Sequence, residues 1–342
     1  MNKVFGEFDL IHLLTHQRGY QRPEVLCGVG DDCAVIEEPG RCLLFTCDAQ
    51  VAGTHFFADR ITPYALGARI AAVNLSDIAA MGGRPLWALC SLLLDDTANP
   101  NYCDELYSGL YEVLGQHQVH LIGGNTARSD GGLVADLFLA GEASRQAVLY
   151  RSGATAGDIV CVSGTIGDSA AGFRAITSLT TSGNTAYDVF SPLVQRHYQP
   201  IPRIDVGQLL AYSGSVTSCI DISDGLLQDA RHLAAASGVR IEIDDTLLPV
   251  SELTRQLASV LGIDIFELAL TGGEDYELLF TVKECALNAL ERTISDETGI
   301  SITPIGTVRP AADARGTVQT ATEKYGQLAK GGFDHLRQRS EK

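Results

Sequence analysis

Apolar and polar positions alternate along the chain between short strand-like runs and longer helix-like stretches. Apolar runs that end at an acidic residue, a glycine or a small polar residue predict strands at 43–47, 133–141, 158–163, 217–221 and 276–282. Helical spacing predicts helices at 62–81, 101–116, 168–177, 202–212 and 225–237. This mixture of elements indicates an α/β (α+β) fold.

The first of these helices has clear signals at both ends. Thr62 is a suitable N-cap and Pro63 suits the first helical position. The pair Gly82-Gly83 should end the helix.

The length of 342 residues predicts two domains. A tract of glycine, alanine and small polar residues at 150–158 lies near the midpoint of the chain. Such a composition is typical of a connection between folded units. We therefore expect an N-terminal domain at 1–148 and a C-terminal domain at 149–342.

The charge balance limits the partners of this protein. There are 42 acidic residues against 25 basic ones, and the formal net charge is −17. Nucleic-acid backbones and anionic lipids are bound through clustered Lys and Arg, so we expect neither partner. Phosphorylated small molecules stay possible, because divalent metals can bridge carboxylates to phosphates.

Nothing in the sequence predicts a membrane span or an export signal. Glu7 and Asp9 stand where a signal peptide would have its apolar core. The nine cysteines are an odd number and form no C-x-x-C pair. Cys90, Cys161 and Cys219 sit inside apolar runs, which is typical of buried thiols in a reducing compartment. We expect a cytoplasmic protein.

Polar residues, most of them acidic, recur in six short turns or strand ends. They are Gly28–Asp32, Thr46–Asp48, Asn74–Asp77, Gly123–Thr126, Asp221–Gly225 and Gly272–Tyr276. Mg²⁺ takes oxygen ligands, commonly carboxylates together with substrate phosphates. The repetition predicts a site where several of these turns meet around two or more Mg²⁺ ions that hold a polyphosphate.

Each turn also has an ordinary structural interpretation when taken alone. Asp221–Asp224 can cap a helix, and Gly28-Val29-Gly30 lacks the third glycine of a dinucleotide fingerprint. His55 alone is typical of a hydrogen-bonded structural residue, and Arg151 alone of a surface charge. The sequence has no P-loop, kinase motif set or nucleophile elbow. If the protein handles ATP, it uses a different fold.

In combination the motifs resemble the thiamine-monophosphate kinase family, within the superfamily that includes aminoimidazole ribonucleotide synthetase. The matching segments run in order through nearly the whole chain: GVGDDCAV (28–35), VAGTHF (51–56), AVNLSDIAAMG (72–82), LIGGNT (121–126), RSGATAGD (151–158), SGTIGDSAAG (163–172), DISDGL (221–226) and GGEDYEL (272–278).

The resemblance implies the two-domain fold of that superfamily and an ATP-dependent kinase that converts thiamine monophosphate to thiamine diphosphate. It further implies a homodimer in which the N-terminal domains pair their sheets. ATP, the co-substrate, would lie with several Mg²⁺ ions in a cleft between the two halves.

Site residues also follow from the resemblance. The implied Mg²⁺ ligands are Asp32, Thr46, Cys47, Asp48, Asp77, Asn125, Asp221 and Asp224, with backbone carbonyls able to serve at 46 and 47. The implied nucleotide contacts are Gly124, Asn125, Arg151 and Ser223, and the implied thiamine monophosphate contacts are His55, Glu274 and Phe333. Arg151 would stabilise charge, and no side chain is expected to act as nucleophile or base.

Three positions depart from the family pattern, at Cys47, Ala49 and Asn125. They leave open a catalytically inactive regulator that binds metal and nucleotide. Another ATP-dependent enzyme of the superfamily is the second alternative. The absence of a cysteine before Cys27 and the terminal sequence LRQRSEK argue against two such enzymes, which would need a reactive cysteine near one end.

Overall fold

The computed structural model describes residues 6–15, 22–96, 98–179, 188–311 and 316–322. Two six-stranded sheets organise these residues, one in each half of the chain. The first sheet ends at Ala143 and the second begins at Ile159. The predicted boundary at 148/149 falls between the two sheets.

The first half carries the N-terminal sheet and three helices. Its elements are α1 (Glu7–Thr15), β1 (Val25–Cys27), β2 (Ala34–Glu38), β3 (Arg41–Val51), α2 (Pro63–Ala80), β4 (Arg84–Leu94), α3 (Pro100–Gln116), β5 (His120–Arg128) and β6 (Val134–Ala143). The strand order is β1-β2-β3-β6-β4-β5. Neighbouring strands are antiparallel except β4 and β5, which are parallel.

The second half carries the C-terminal sheet and the remaining helices. Its elements are β7 (Ile159–Ser163), α4 (Asp168–Ser178), α5 (Ser191–Tyr198), α6 (Ile204–Ser213), β8 (Val216–Asp221), α7 (Leu226–Ser237), β9 (Val239–Ile243), α8 (Glu252–Leu261), α9 (Ile265–Thr271), β10 (Leu278–Val282), α10 (Leu287–Thr298), β11 (Ile302–Pro310) and β12 (Thr317–Thr320). The strand order is β12-β9-β11-β7-β10-β8. Only the β12–β9 pair is parallel.

Helix α2 is the central element of the described structure. The Thr62 hydroxyl accepts a hydrogen bond from the Ala65 N–H at 3.2 Å, which confirms the predicted N-cap. Gly82 has a φ of +68°, a left-handed conformation that glycine adopts without strain, so the chain turns sharply just after the helix. Nearly every residue of α2 is buried, because the helix packs against β3 on one side and against α6 and β8 of the second half on the other.

The close packing of α2 and α3 depends on two glycines. A Cβ atom at Gly67 would lie 1.8 Å from the carbonyl oxygen of Leu106. A Cβ atom at Gly109 would lie 1.9 Å from the carbonyl oxygen of Tyr64. The two backbones therefore touch, and this contact holds α2 in a defined position under the sheet.

All ten predicted elements are present, within a few residues at their ends. Gly123–Thr126 was predicted to be a turn or a strand end, which was wrong, since this segment lies inside β5. Several further strands were not predicted, among them β2, β4, β9 and β11. Within the described residues, no helix combines the length and the apolar character that a membrane crossing requires.

Candidate active site

Three carboxylates meet at the boundary between the two halves. Asp32 lies just before β2, Asp77 lies in the last turn of α2, and Asp221 is the last residue of β8. One oxygen of each lies within 4.8 Å of the others. Asp32 and Asp221 are buried, with 9% and 2% of their surface exposed. The predicted convergence of these three turns is therefore present in the structure.

The environment of this cluster makes three negative charges unfavourable. Burial, together with the nearby charge of Asp32, raises the pKa of Asp221 to about 8. Burial and the charges of Asp48 and Asp221 raise the pKa of Asp77 well above its usual range. Like charges this close are stable only when protons or a cation offset them.

Neighbouring side chains hold each carboxylate in place. The Thr46 hydroxyl donates to Asp77 Oδ2, and the Ser76 hydroxyl donates to Asp221 Oδ2 at 2.6 Å. Arg151 donates to Asp32 Oδ1 through Nη2 at 2.5 Å and through Nε at 3.2 Å. The cluster is thus preorganised by donors from both halves of the chain.

A hard cation fits this set of ligands. Asp32 Oδ2 is buried and has no hydrogen-bond partner among the described residues. An unpaired buried carboxylate oxygen is costly unless something else binds it. Three carboxylates with oxygen atoms converging in one place are the donor set that Mg²⁺ prefers. The residues present therefore suit the Mg²⁺ that the sequence predicted.

Asp48 adjoins the cluster on the same side of the N-terminal sheet. Its backbone N–H donates to Asn74 Oδ1 at 2.9 Å, and the Asn74 amide group donates in turn to the carbonyl of Ile70. Asp48 also raises the pKa of Asp77, which places its charge close to the cluster. Asn74 in α2 thus ties the end of β3 to the helix that carries Asp77.

Cys47 points away from this cluster. Successive side chains of a strand face opposite sides of the sheet, so Cys47 lies on the face opposite Thr46 and Asp48. Its Sγ atom lies 3.0 Å from Asp136 Oδ1. A contribution of Cys47 to the carboxylate cluster can therefore come only from its backbone carbonyl.

Asn125 belongs to the outer face of the sheet together with Cys47. The strand register aligns Asn125 with Ser91, Asp136 and Ala49 across four strands. Asn125 is exposed. Its neighbour Gly124 is needed for close pairing, because a Cβ atom there would lie 1.9 Å from the carbonyl oxygen of Cys90. The structure thus separates Asn125 from the three clustered carboxylates.

A second group of polar residues surrounds Glu274. Its carboxylate pairs with the guanidinium of Arg69, and Oε2 lies 3.5 Å from His197 Nδ1. Burial raises the pKa of Glu274, but the charges of Arg69, His197 and His55 outweigh that effect, so its pKa lies below the usual value. Two residues that the resemblance assigned to thiamine monophosphate, His55 and Glu274, are therefore near each other.

The loop that carries Glu274 rests directly on the loop that carries Ser223 and Asp224. The Glu274 N–H donates to the carbonyl of Ser223 at 2.8 Å. A Cβ atom at Gly273 would lie 2.4 Å from that same carbonyl oxygen, so only glycine permits this contact. The two loops therefore pack directly against each other, next to Asp221 at the end of β8.

Phe333, the third residue assigned to the acceptor, lies outside the described residues. Four residues at the site were not predicted: Arg69, Asn74, Ser76 and His197. Asn74 and Ser76 belong to a motif noted in the sequence, whereas Arg69 and His197 carry no local signal. Their position becomes evident only from contacts between distant segments.

The two mixed sheets, with clustered carboxylates from both halves, place this protein in the class of AIR synthase related proteins. The family model for the N-terminal domain of AIR synthase related proteins matches residues 30–143. The model for the C-terminal domain of the same proteins matches residues 155–319. The structure of the hydrogenase maturation protein HypE in complex with ATP shares the fold, with 19% identity and a TM-score of 0.66 over 94% of this chain and 91% of that chain.

More similar relatives narrow the class to one family. Thiamine-monophosphate kinase of Salmonella typhimurium is 39% identical over 91% of this chain and 92% of its own length. The enzyme of Escherichia coli K12 is 38% identical over 97% and 98%. The structure of AaThiL complexed with AMPPCP and TMP is 33% identical, with a TM-score of 0.82 over 96% and 97%. The chain belongs to the thiamine-monophosphate kinase family.

Proposed function

We propose that this protein transfers the terminal phosphoryl group of ATP to the phosphate of thiamine monophosphate, which forms thiamine diphosphate and ADP. The observation that carries the proposal is the carboxylate cluster of Asp32, Asp77 and Asp221, with Arg151 beside it and Glu274 on the adjoining loop. The names of the relatives support the same activity, and AaThiL has been observed with both an ATP analogue and TMP.

Asp32, Asp77 and Asp221 would hold Mg²⁺, and Asp48 and Asp224 are proposed as further ligands. We also keep Thr46 and the carbonyl of Cys47 as proposed ligands of this cluster. Asn125 lies on the opposite face of the sheet, so it stays a proposed ligand only for a separate Mg²⁺ ion. When bound, Mg²⁺ supplies positive charge that offsets the charge of the phosphate groups. The local field of this acidic protein would then favour a polyphosphate, which the carboxylates alone would repel.

Arg151 is proposed to stabilise the negative charge of the transferred phosphoryl group. Its guanidinium is oriented by Asp32, and its backbone N–H donates to Asp31 at 3.2 Å. We propose Gly124, Asn125 and Ser223 as further contacts of the nucleotide. The acceptor phosphate is largely ionised at neutral pH. The reaction therefore needs positioning and charge neutralisation, and no protein side chain has to act as a base.

The acceptor would bind beside Glu274 and His55, with Phe333 as a proposed third contact. Thiamine carries a positively charged thiazolium ring, which an ionised carboxylate complements. The lowered pKa of Glu274 keeps this carboxylate ionised at neutral pH. Val51 N–H donates to His55 Nδ1 at 3.0 Å, so a neutral His55 carries its proton on Nε2 and can donate a hydrogen bond from that atom.

ADP release from ATP tests the proposed activity. We expect ADP only when thiamine monophosphate and Mg²⁺ are both present, in a one-to-one ratio to thiamine diphosphate measured by chromatography. Free thiamine in place of thiamine monophosphate should give no product. ADP release without an acceptor, or ATP binding without any turnover, would contradict the proposal, and the second result would indicate an inactive regulator.

We also propose a homodimer formed through the outer face of the N-terminal sheet. Phe45 and Phe138 stack there with ring centroids 5.7 Å apart, and Trp87 and Leu89 on the same face are 39% and 38% exposed. An apolar sheet face normally packs against another layer. Light scattering of the wild type should give a molar mass of two chains. Leu89→Lys places a charge in the pairing face, so this variant should have the molar mass of a single chain. A monomeric wild-type protein would refute the pairing.

The cytoplasmic location stays a prediction.

A further inference from the structure

Arg69 is a charged side chain with no exposed surface. Its Nε atom donates to Gln50 Oε1 at 2.7 Å. Its two terminal nitrogens donate to the carbonyl oxygen of His197 and to Glu274 Oε1. A buried guanidinium is stable only when it is paired and its hydrogen bonds are satisfied. The contacts of Arg69 meet that requirement, and Glu274 is the acidic side chain that pairs with it among the described residues.

These contacts connect the two halves of the protein. Arg69 and Gln50 belong to α2 and β3 of the first half, whereas His197 and Glu274 belong to the second half. The planar guanidinium directs its nitrogens at fixed angles, so it determines the orientation of the groups that it binds. Arg69 thus fixes the position of the Glu274 carboxylate relative to α2.

Glu274 needs such support because its backbone is strained. Its φ is +68°, a left-handed conformation that is uncommon for residues other than glycine. Strained residues persist where the surroundings hold them, and they are frequent at functional sites. The side chain of Glu274 is 29% exposed, so part of it stays accessible to a ligand, while Oε1 faces Arg69 and Oε2 lies 3.5 Å from His197 Nδ1.

We propose that Arg69 is a positioning residue that presents the Glu274 carboxylate to the acceptor. The same helix carries Arg69 and Asp77, about 12 Å apart along its axis at the usual rise per residue. Helix α2 therefore sets the distance between the Glu274 carboxylate, which would bind the acceptor, and the cluster of Asp32, Asp77 and Asp221. The inference rests on the proposed function, since it assumes that Glu274 contacts thiamine monophosphate.

Variants at both positions test the inference through steady-state kinetics and thermal unfolding. We expect Arg69→Met to raise the KM for thiamine monophosphate at least tenfold and to change the KM for ATP less than twofold. Arg69→Lys keeps a positive charge near Glu274, so it should recover most of the loss. A smaller loss should remain, because the ammonium lacks the fixed planar donors that meet all three acceptors. A residue that only supported the fold would shift neither KM selectively.

The double variant Arg69→Met/Glu274→Gln separates positioning from a direct contact. If Arg69 acts through Glu274, the double variant should have the same KM for thiamine monophosphate as Glu274→Gln alone, so the two effects are not additive. Glu274→Gln leaves a buried guanidinium without its carboxylate, so it should unfold at a lower temperature than the double variant.

Arg60→Met is the matched control. Arg60 also joins the two halves, through a hydrogen bond from Nη1 to the carbonyl of Ile176 at 3.1 Å, but it has no contact with Glu274. Its KM values should equal those of the wild type. If Arg69→Met does not fold, Arg69→Lys supplies the same comparison, with a rise of a few-fold in the KM for thiamine monophosphate alone.

Three results would overturn the inference while the proposed function stands: additive effects in the double variant, equal changes in both KM values, or a selective KM change in Arg60→Met. A wild-type protein without turnover of thiamine monophosphate would refute the proposed function and this inference with it. The wild-type assay therefore distinguishes the two failures.

Discussion

Asp77→Asn should reduce turnover roughly a thousandfold and should stabilise the protein in the absence of Mg²⁺. Loss of a carboxylate removes a ligand from the cluster, and metal-based charge neutralisation is worth several kcal/mol in such reactions. Without metal, Asp77 has two buried carboxylates within 4.8 Å, so removal of its charge relieves their repulsion. Asparagine can still accept the hydrogen bond from Thr46.

Thermal unfolding with and without Mg²⁺ measures the second part of this prediction. The wild type should gain stability from Mg²⁺, because a ligand that binds only the folded state raises the unfolding temperature. Asp77→Asn should lose most of that gain. Asp104→Asn makes the same change on the exposed side of α3 and should behave like the wild type. An unchanged response of Asp77→Asn to Mg²⁺ would disprove the assignment of the cluster as a metal site.

Arg151→Lys should lower kcat about a hundredfold, the size of effect expected when one preorganised donor to a developing charge is lost. Arg151 donates to Asp32 through two nitrogens, and its side chain is 20% exposed. A lysine ammonium can neutralise Asp32, but it lacks the second, rigidly oriented donor group that a phosphoryl oxygen would meet. The fold should persist because a cation stays beside the buried carboxylate.

Initial rates at saturating concentrations of both substrates measure this effect. Arg41→Lys is the control. Arg41 also binds a carboxylate, that of Glu142 at 2.7 Å, but it is the first residue of β3, whereas Asp48 of the site lies near the other end of that strand. Its kcat should match that of the wild type. A kcat of Arg151→Lys within threefold of the wild type would show that Arg151 serves only the structure of the Asp32 loop.

Local signals in the sequence were sufficient to predict the main helices. Thr62, Pro63 and Gly82 set the ends of α2 through hydrogen bonding and backbone conformation that depend only on adjacent residues. The strands that were not predicted depend instead on pairing with segments that are distant in the sequence. The register that aligns Asn125 with Ser91 depends on the pairing of β5 with β4, and short apolar runs do not determine their partners.

The side chains of β3 also show which features follow from local sequence and which depend on strand pairing. The period of two in β3 already implies that Cys47 faces away from Thr46 and Asp48 once the strand is known. That Cys47 meets Asp136 was decided by the pairing of β3 with β6. The resemblance grouped Asn125 with the aspartates as a metal ligand, whereas the sheet places it on the opposite face.

The sequence by itself determined the class of elements, the acidic turns and the family, because each rests on residues close together in the chain. The sequence also predicted that acidic turns would meet, but only the tertiary structure decided that Asp32, Asp77 and Asp221 form the buried cluster and that Arg69 holds Glu274. Ser76 and Asp221 are 145 residues apart, and Arg69 and Glu274 are 205 apart. Such contacts exist because α2 is packed between the two halves, and no local pattern encodes where that packing brings its polar side chains.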